Sequence, residues 1–148
     1  MSVLFQFKEP EIDEKATIIN VRDFFTDDVP KLEEMAGRSL NSMLSSPKLD
    51  NVGTPGTHLN STEDLMISSV DAKRELRIIA LVISQCTDNS RDILTWRYLK
   101  HLSLAQIYEL YYMTHSTVWT HTNKACLEFA NRYSHVDGGH DLRIYVEQ

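Results

Sequence analysis

The sequence predicts an all-α fold in which a helical N-terminal part precedes a C-terminal helix-turn-helix bundle. Apolar residues recur at helical spacing along most of the 148 residues, and capping residues precede several of these runs. Strand-like alternation is limited to 142–146, after the breaker at 138–139. Because 42% of the residues are hydrophobic, the chain has enough apolar material for a core, which argues against disorder of the whole chain.

The first 44 residues form a predicted N-terminal helical segment. Apolar residues between 12 and 25 follow roughly helical spacing. Acidic residues and a proline at 27–30 are typical of a helix start. A second helix should then cover 31–43, although Gly37 weakens it.

A change in composition at 45–62, to Ser, Pro, Asn, Gly and Thr, predicts a loop or linker and is the best candidate boundary. A capping pattern at 61–64 then precedes the longest apolar periodicity. This helix is apolar nearly all round in its C-terminal half, so it is buried either by its own chain or by a second copy. The second alternative predicts a homodimer through the helix from Leu65 to Ile83. One face of this helix carries Leu65, Ala72, Leu76, Ile79 and Ile83.

The helical body continues to residue 135 and contains a helix-turn-helix at 103–133. A break at 87–90 separates the long helix from a shorter one at 91–100. Ser103 and Gln106 then form a capping box, which predicts a short helix to about Tyr111. A turn and a second capped helix to about Tyr133 complete the plan. Residues 136–148 form a predicted C-terminal tail.

The inward residues of this region suit two crossing helices. Ile107 and Val118 should pack between the helices, and Met113 should plug the turn from beneath. The turn lacks the usual glycine and has Tyr112 instead. A helical hairpin within an all-α core is the alternative interpretation, because the same apolar spacing serves it equally well.

The start of the second predicted helix has the chemistry of a DNA-binding surface. Its unpaired N–H groups and positive dipole suit phosphate, and Asn and Thr can contact adenine and thymine edges. Lys and Arg nearby can anchor phosphates. The predicted DNA-binding residues are Thr114, His115, Ser116, Thr117, Trp119, Thr120, Asn123 and Lys124. The predicted phosphate anchors are Arg97, Lys100, Ser103 and Arg132.

The distribution of charge agrees with this placement. Fifteen Lys and Arg against 21 Asp and Glu give a net charge of −6, which argues against a general polyanion binder. Residues 1–87 hold 9 basic and 14 acidic residues, net −5, whereas residues 88–135 hold 5 and 4, net +1, with four of the six histidines. We therefore expect any contact with nucleic acid in residues 88–135.

Several short segments resemble known transcription proteins. The sequences RDILTWRYL at 91–99, SLAQIYEL at 103–110, STVW at 116–119 and KACLEFA at 124–130 resemble the promoter-reading C-terminal domain of bacterial primary sigma factors. They resemble more closely the ArpU family of phage and prophage transcriptional regulators. The family's N-terminal half is similar to EIDEK at 11–15, NVRDF at 20–24, MAGRSL at 35–40, SPK at 46–48, EDLMI at 63–67 and VDA at 70–72. The resemblance covers about Pro10 to Tyr133.

This resemblance implies a DNA-binding regulator with a sigma-like helix-turn-helix, active in the cytoplasm of a bacterial host. Relatives are linked to phage late-gene activation or to control of cell-wall hydrolase export, so the implied partners are promoter DNA and host RNA polymerase. The promoter-contacting positions of sigma domains correspond to 115–117, Trp119 and Thr120. Sigma factors commonly have Arg and Glu there, whereas this chain has neutral residues and Trp119, which predicts weaker phosphate attraction.

Two other functions remain open at this point. A sigma-mimicking protein could bind polymerase with little DNA affinity of its own, which the acidic charge favours. A small DNA-packaging subunit of the terminase type could also use a helix-turn-helix. Trp119 then either contacts DNA or a partner, or folds onto the next helix. Motifs for catalysis, cofactor binding or metal ligation are absent from the sequence, so we expect no enzyme and no cofactor.

Two features concern the compartment. No apolar run approaches the ~18–20 residues that span a bilayer, and the N-terminus lacks the basic start and long apolar stretch of a secretory signal. Cys86 and Cys126 are too few for a disulfide framework. We therefore expect a reduced, cytoplasmic protein with no membrane partner.

Overall fold

The computed structural model describes residues 10–45 and 60–147, with side chains at 10–44 and 68–147. Residues 46–59 of the predicted loop at 45–62, and the side chain of Leu65, lie outside these ranges. The predicted loop is too long at both ends, because residue 45 and residues 60–62 are helical. Across the described ranges the chain is mostly helical and has no strand, which confirms the all-α prediction. The α-helices are α1 (Glu14–Asp23), α2 (Val29–Ala36), α3 (Leu40–Ser45), α4 (Asn60–Gln85), α5 (Asp88–Leu94), α6 (Leu104–Tyr111) and α7 (His115–His135), and two π-helical turns occupy Phe24–Asp28 and Thr95–Leu99.

Helix α2 begins at Val29 with Pro30 in its first turn, as the sequence predicts. The sequence does not predict that α1 continues into α2 without a break, through a π-helical turn. The Val29 N–H donates to the Phe24 carbonyl, five residues back. Pro30 follows immediately. Its missing N–H and its ring disturb a regular α-helical ladder, and we attribute the wider turn to this conflict.

The predicted single helix at 31–43 is wrong, because the chain turns at Gly37. Gly37 has a left-handed φ of 71°, which ends α2, and glycine adopts this conformation without steric cost. The Glu33 carboxylate then accepts the Leu40 N–H at 2.7 Å. One side chain of α2 therefore satisfies the first turn of α3.

Helix α4 forms the centre of the fold. Helices α2, α3, α5 and α7 all pack against it, and Leu76, Ile79 and Ile83 are fully buried. The sequence left open whether this helix is buried by a second copy. In the described part of α4, most of its apolar side chains are covered by the chain itself. Val70 and Leu81 remain half-exposed.

An aromatic cluster joins the N-terminal segment to α7. Phe25 stacks on Tyr98 with 4.5 Å between ring centroids, and it lies 4.9 Å from Phe129. Phe24 lies 5.5 Å from Tyr133. The π-helical turn that carries both phenylalanines thus shares one core with the C-terminal helices.

The residues after α7 return to the beginning of α1. They form a single antiparallel bridge between Ile12 and Tyr145, so the alternation at 142–146 gives a bridge and not a strand. The Asp13 N–H donates to the Ile144 carbonyl at 2.8 Å. In the part of the chain that is described, no helix combines the length and apolarity needed to cross a membrane.

Candidate nucleic-acid interface

Helices α6 and α7 begin where the sequence predicts, because both predicted caps are present. The Ser103 hydroxyl accepts the Gln106 N–H at 3.1 Å, and the Gln106 side chain accepts the Ser103 N–H at 2.8 Å. The Thr114 hydroxyl accepts the Thr117 N–H at 3.2 Å and donates to the Thr117 hydroxyl at 2.8 Å. Ser103, Thr114 and Thr117 therefore serve the helix ends in this structure.

The turn between α6 and α7 contains a strained tyrosine. Tyr112 has a left-handed φ of 51°, which is unfavourable by about 1–2 kcal/mol for a residue with a Cβ. Its side chain is 94% exposed and gains no burial in return. Ile107 and Val118 are fully buried, and Met113 packs against the core, as the sequence predicts.

Three predicted DNA-binding residues form an open stripe along α7. Ser116, Thr120 and Lys124 are spaced by four positions, which places them on one helix face, and all three are exposed. The side chains of Thr120 and Lys124 have no hydrogen bond or ion pair with any described residue. Hydroxyl, methyl and ammonium groups are thus presented together on a surface that the described residues leave uncovered.

The flank of this stripe is covered by Arg22 of α1. Its guanidinium lies 4.4 Å from the centroid of the Trp119 ring and donates to the Asn123 side-chain oxygen at 2.9 Å. Trp119 is 47% exposed, so it lies against α1 while keeping half of its surface in solvent. Arg22 is 101 positions from Asn123, and sequence spacing gives no signal for this contact.

Two other predicted site residues are engaged within the chain. The His115 ring stacks on Tyr108 of α6, with 3.7 Å between ring centroids. Arg132 pairs with Glu128 at 3.0 Å. Arg132 lies 17 positions after His115, about 26 Å along a helix that rises about 1.5 Å per residue. The structure therefore does not bring Arg132 together with the start of α7.

The remaining predicted anchors lie before α6. Arg97 donates to the Leu102 carbonyl at 3.1 Å, and its guanidinium lies 5.9 Å from the Tyr98 ring centroid. Lys100 is exposed at the end of the second π-helical turn. Arg97 thus has one internal bond and further N–H donors available, since a guanidinium carries five.

The two cysteines belong to the core. Burial raises the pKa of Cys86 to about 12 and that of Cys126 to about 11, so both are neutral thiols at physiological pH. Within the described ranges, no group of three His, Cys, Asp or Glu side chains is arranged to hold a metal ion.

Comparisons with known proteins add no further information about this interface. The chain matches no protein-family model, no curated protein and no solved structure.

Proposed function

We propose that this protein is a phage or prophage transcriptional regulator that binds duplex DNA through α6 and α7. The observation that carries the proposal is the open stripe of Ser116, Thr120 and Lys124 at the start of a capped helix. A helix of this kind fits the major groove, where side chains from its N-terminal half reach base edges.

The stripe contains one side chain that can bind the DNA backbone and one that can contact a base. Lys124 can neutralise a backbone phosphate, and the methyl group of Thr120 can contact a thymine methyl. At the start of α7 the Thr114 cap satisfies the Thr117 N–H. The other first-turn N–H groups have no acceptor within the helix and can bind a phosphate.

The resemblance to the ArpU family supports the finer part of the proposal. As a member of that group, the protein would act with host RNA polymerase at promoters and would activate late genes. This part depends on the sequence motifs, whereas the DNA-binding part also depends on the exposed stripe.

A set of matched variants tests DNA binding. The intact protein is titrated with a tiled library of phage DNA at two salt concentrations. We expect Lys124→Gln to weaken binding to all sequences similarly and to reduce the slope of log affinity against log salt by about 0.9. Thr120→Ala should weaken the preference at one base pair by about 1 kcal/mol, as for the loss of one buried methyl group.

Lys31→Gln is the control. Like Lys124→Gln it removes one positive charge, but Lys31 lies beside Tyr133, at the far end of α7. This variant should leave affinity, slope and preference unchanged. The absence of enriched sequences at low salt would contradict direct DNA reading by this chain.

A second function is favoured by the exposed turn. Tyr112 is 94% exposed and Leu110 57%, and the chain carries a net charge of −6. Exposed apolar side chains on an acidic protein suit a protein partner. Retention on immobilised RNA polymerase, together with no affinity for duplex DNA at low salt, would favour the sigma-mimicking protein.

A further inference from the structure

A small pocket lies between α1, the second π-helical turn, α6 and α7. It has a volume of about 130 Å³. This is well below the ~300–1,000 Å³ of pockets that hold small-molecule ligands, so the pocket suits a single compact group. The residues around it include Arg22, Arg97, Tyr98, Leu104, Trp119 and Thr122.

The charge of this pocket is positive. Arg22 and Arg97 both line it, and none of the described residues around it is acidic. Neither arginine has a carboxylate partner among the described residues. Two like charges beside one pocket repel each other, and an anion that bridged them would remove this repulsion.

Both arginines keep donors available for such an anion. Each uses one terminal nitrogen in a bond within the chain, Arg22 to Asn123 and Arg97 to Leu102. Both guanidiniums also interact electrostatically with the Tyr98 hydroxyl. Burial raises the pKa of Tyr98, and the positive charges of Arg97 and Arg22 oppose that increase. The two side chains therefore face a common region.

The position of the pocket indicates where the anion comes from. Leu104 is the first residue of α6, and Trp119 lies on the flank of the open stripe of α7. When the second helix of a helix-turn-helix enters the major groove, the first helix crosses the DNA backbone. The pocket thus lies beside the expected path of the phosphates.

We propose that Arg22 and Arg97 together bind one phosphate group in this pocket, supplied by the DNA backbone next to the groove that α7 occupies. The inference rests on the proposed function for the source of the phosphate. It gives α1, from the acidic N-terminal half, a direct contact with DNA. Arg22 then holds Trp119 and Asn123 in place and binds the phosphate with its remaining donors.

Binding to duplex DNA tests the pair of arginines. We expect Arg22→Gln and Arg97→Gln each to lower affinity about tenfold, as for the loss of one charge-assisted hydrogen bond. The double variant should reduce the salt slope by about 0.9. Its affinity loss should be smaller than the product of the two single losses, because both arginines act on one phosphate. Lys31→Gln should behave as wild type.

Arg22→Lys separates a charge contact from a structural role. Lysine keeps the positive charge but not the geometry that joins Trp119 and Asn123. If Arg22 binds phosphate, the lysine variant should keep more of the wild-type affinity at low salt than the glutamine variant does. Equal losses of affinity in the lysine and glutamine variants would assign Arg22 to structure alone and overturn the proposal.

A second arm identifies the source of the phosphate. The tryptophan fluorescence of the intact protein is titrated with inorganic phosphate, with sodium chloride of equal ionic strength as the control. One outcome is that wild type binds no duplex DNA and still shows a saturable response to phosphate that Arg22→Gln abolishes. This result would confirm the phosphate site with a free anion as its ligand, and it would contradict the proposed function. If Arg22→Gln and Arg97→Gln match Lys31→Gln in both arms, the site itself is refuted.

Discussion

Gly139 shows how a single residue fixes the path of the chain after α7. A Cβ at this position would lie 1.9 Å from the Tyr133 carbonyl oxygen and 2.9 Å from a Val136 methyl group. The Gly139 N–H also donates to the Val136 carbonyl at 3.0 Å. Because the nearest atom belongs to the backbone, the turn has to open before any side chain can be accommodated.

We expect Gly139→Ala to lower the free energy of unfolding by more than about 2 kcal/mol, as backbone clashes of this kind do. Gly37→Ala is the matched control, because Gly37 has a φ of +71° but nothing within 4 Å of an added Cβ. The control carries only left-handed strain, about 1–2 kcal/mol. Urea unfolding of both variants measures the difference, and equal midpoints would contradict the clash.

At the scale of elements, Glu128 connects α7 to the start of α5. Its carboxylate accepts the Thr87 N–H at 2.7 Å and the Thr87 hydroxyl at 2.8 Å. Partial burial alone would raise the pKa of Glu128. Hydrogen bonds from Thr87, Ser90 and Arg132 outweigh this effect, and the pKa lies below its ordinary value.

This lowered pKa predicts a pH-dependent contribution to stability. A carboxyl group whose pKa is lowered by folding stabilises the protein above its unfolded pKa, about 4.3, and loses this effect as the pH falls through the folded value. Glu128→Gln should therefore destabilise the protein by about 1–2 kcal/mol at pH 7. The difference from wild type should shrink towards pH 3.

Thermal unfolding at a series of pH values checks this prediction. Glu34→Gln serves as the control, because Glu34 is exposed on α2 and its side chain has no hydrogen bond or ion pair with a described residue. A difference in stability between Glu128→Gln and wild type that stays constant from pH 7 to pH 3 would show that the carboxylate charge does not cause the destabilisation.

At the scale of the whole molecule, the C-terminal residues hold α1 against the bundle. The Asn20 side chain donates to the Leu142 carbonyl at 2.8 Å, and the Ile144 N–H donates to the Thr17 hydroxyl at 2.9 Å. Thr17 is fully buried, so the tail satisfies a polar group that would otherwise be unpaired. The tail and α1 therefore stabilise each other.

Deletion of residues 140–148 should lower the free energy of unfolding by about 2–5 kcal/mol, because several hydrogen bonds are lost and buried groups are left unpaired. Deletion of 147–148 alone keeps Val146, whose N–H donates to the Glu11 carbonyl at 2.9 Å. This shorter deletion should leave stability close to wild type. Similar unfolding curves for the two deletions would contradict a structural role for the tail.

The sequence by itself determined the features that depend on neighbouring residues. The capping box of Ser103 and Gln106 and the Thr114 cap both concern residues a few positions apart, and the structure has them as predicted. The polar residues from Thr114 to Thr117 at the start of α7 are adjacent, so the sequence also shows them directly. Pro30 lies in the first turn of α2, as predicted, but local rules did not anticipate the π-helical turn that joins α1 to α2.

The tertiary structure alone decided which predicted site residues share a surface. Arg22, from the acidic half of the chain, lies against Trp119 and Asn123, whereas Arg132 pairs with Glu128, about five turns from the start of α7. The tail's contact with α1 spans 127 positions. Such contacts arise when packed helices bring distant segments together, and no periodicity or spacing in the sequence records which segments will meet.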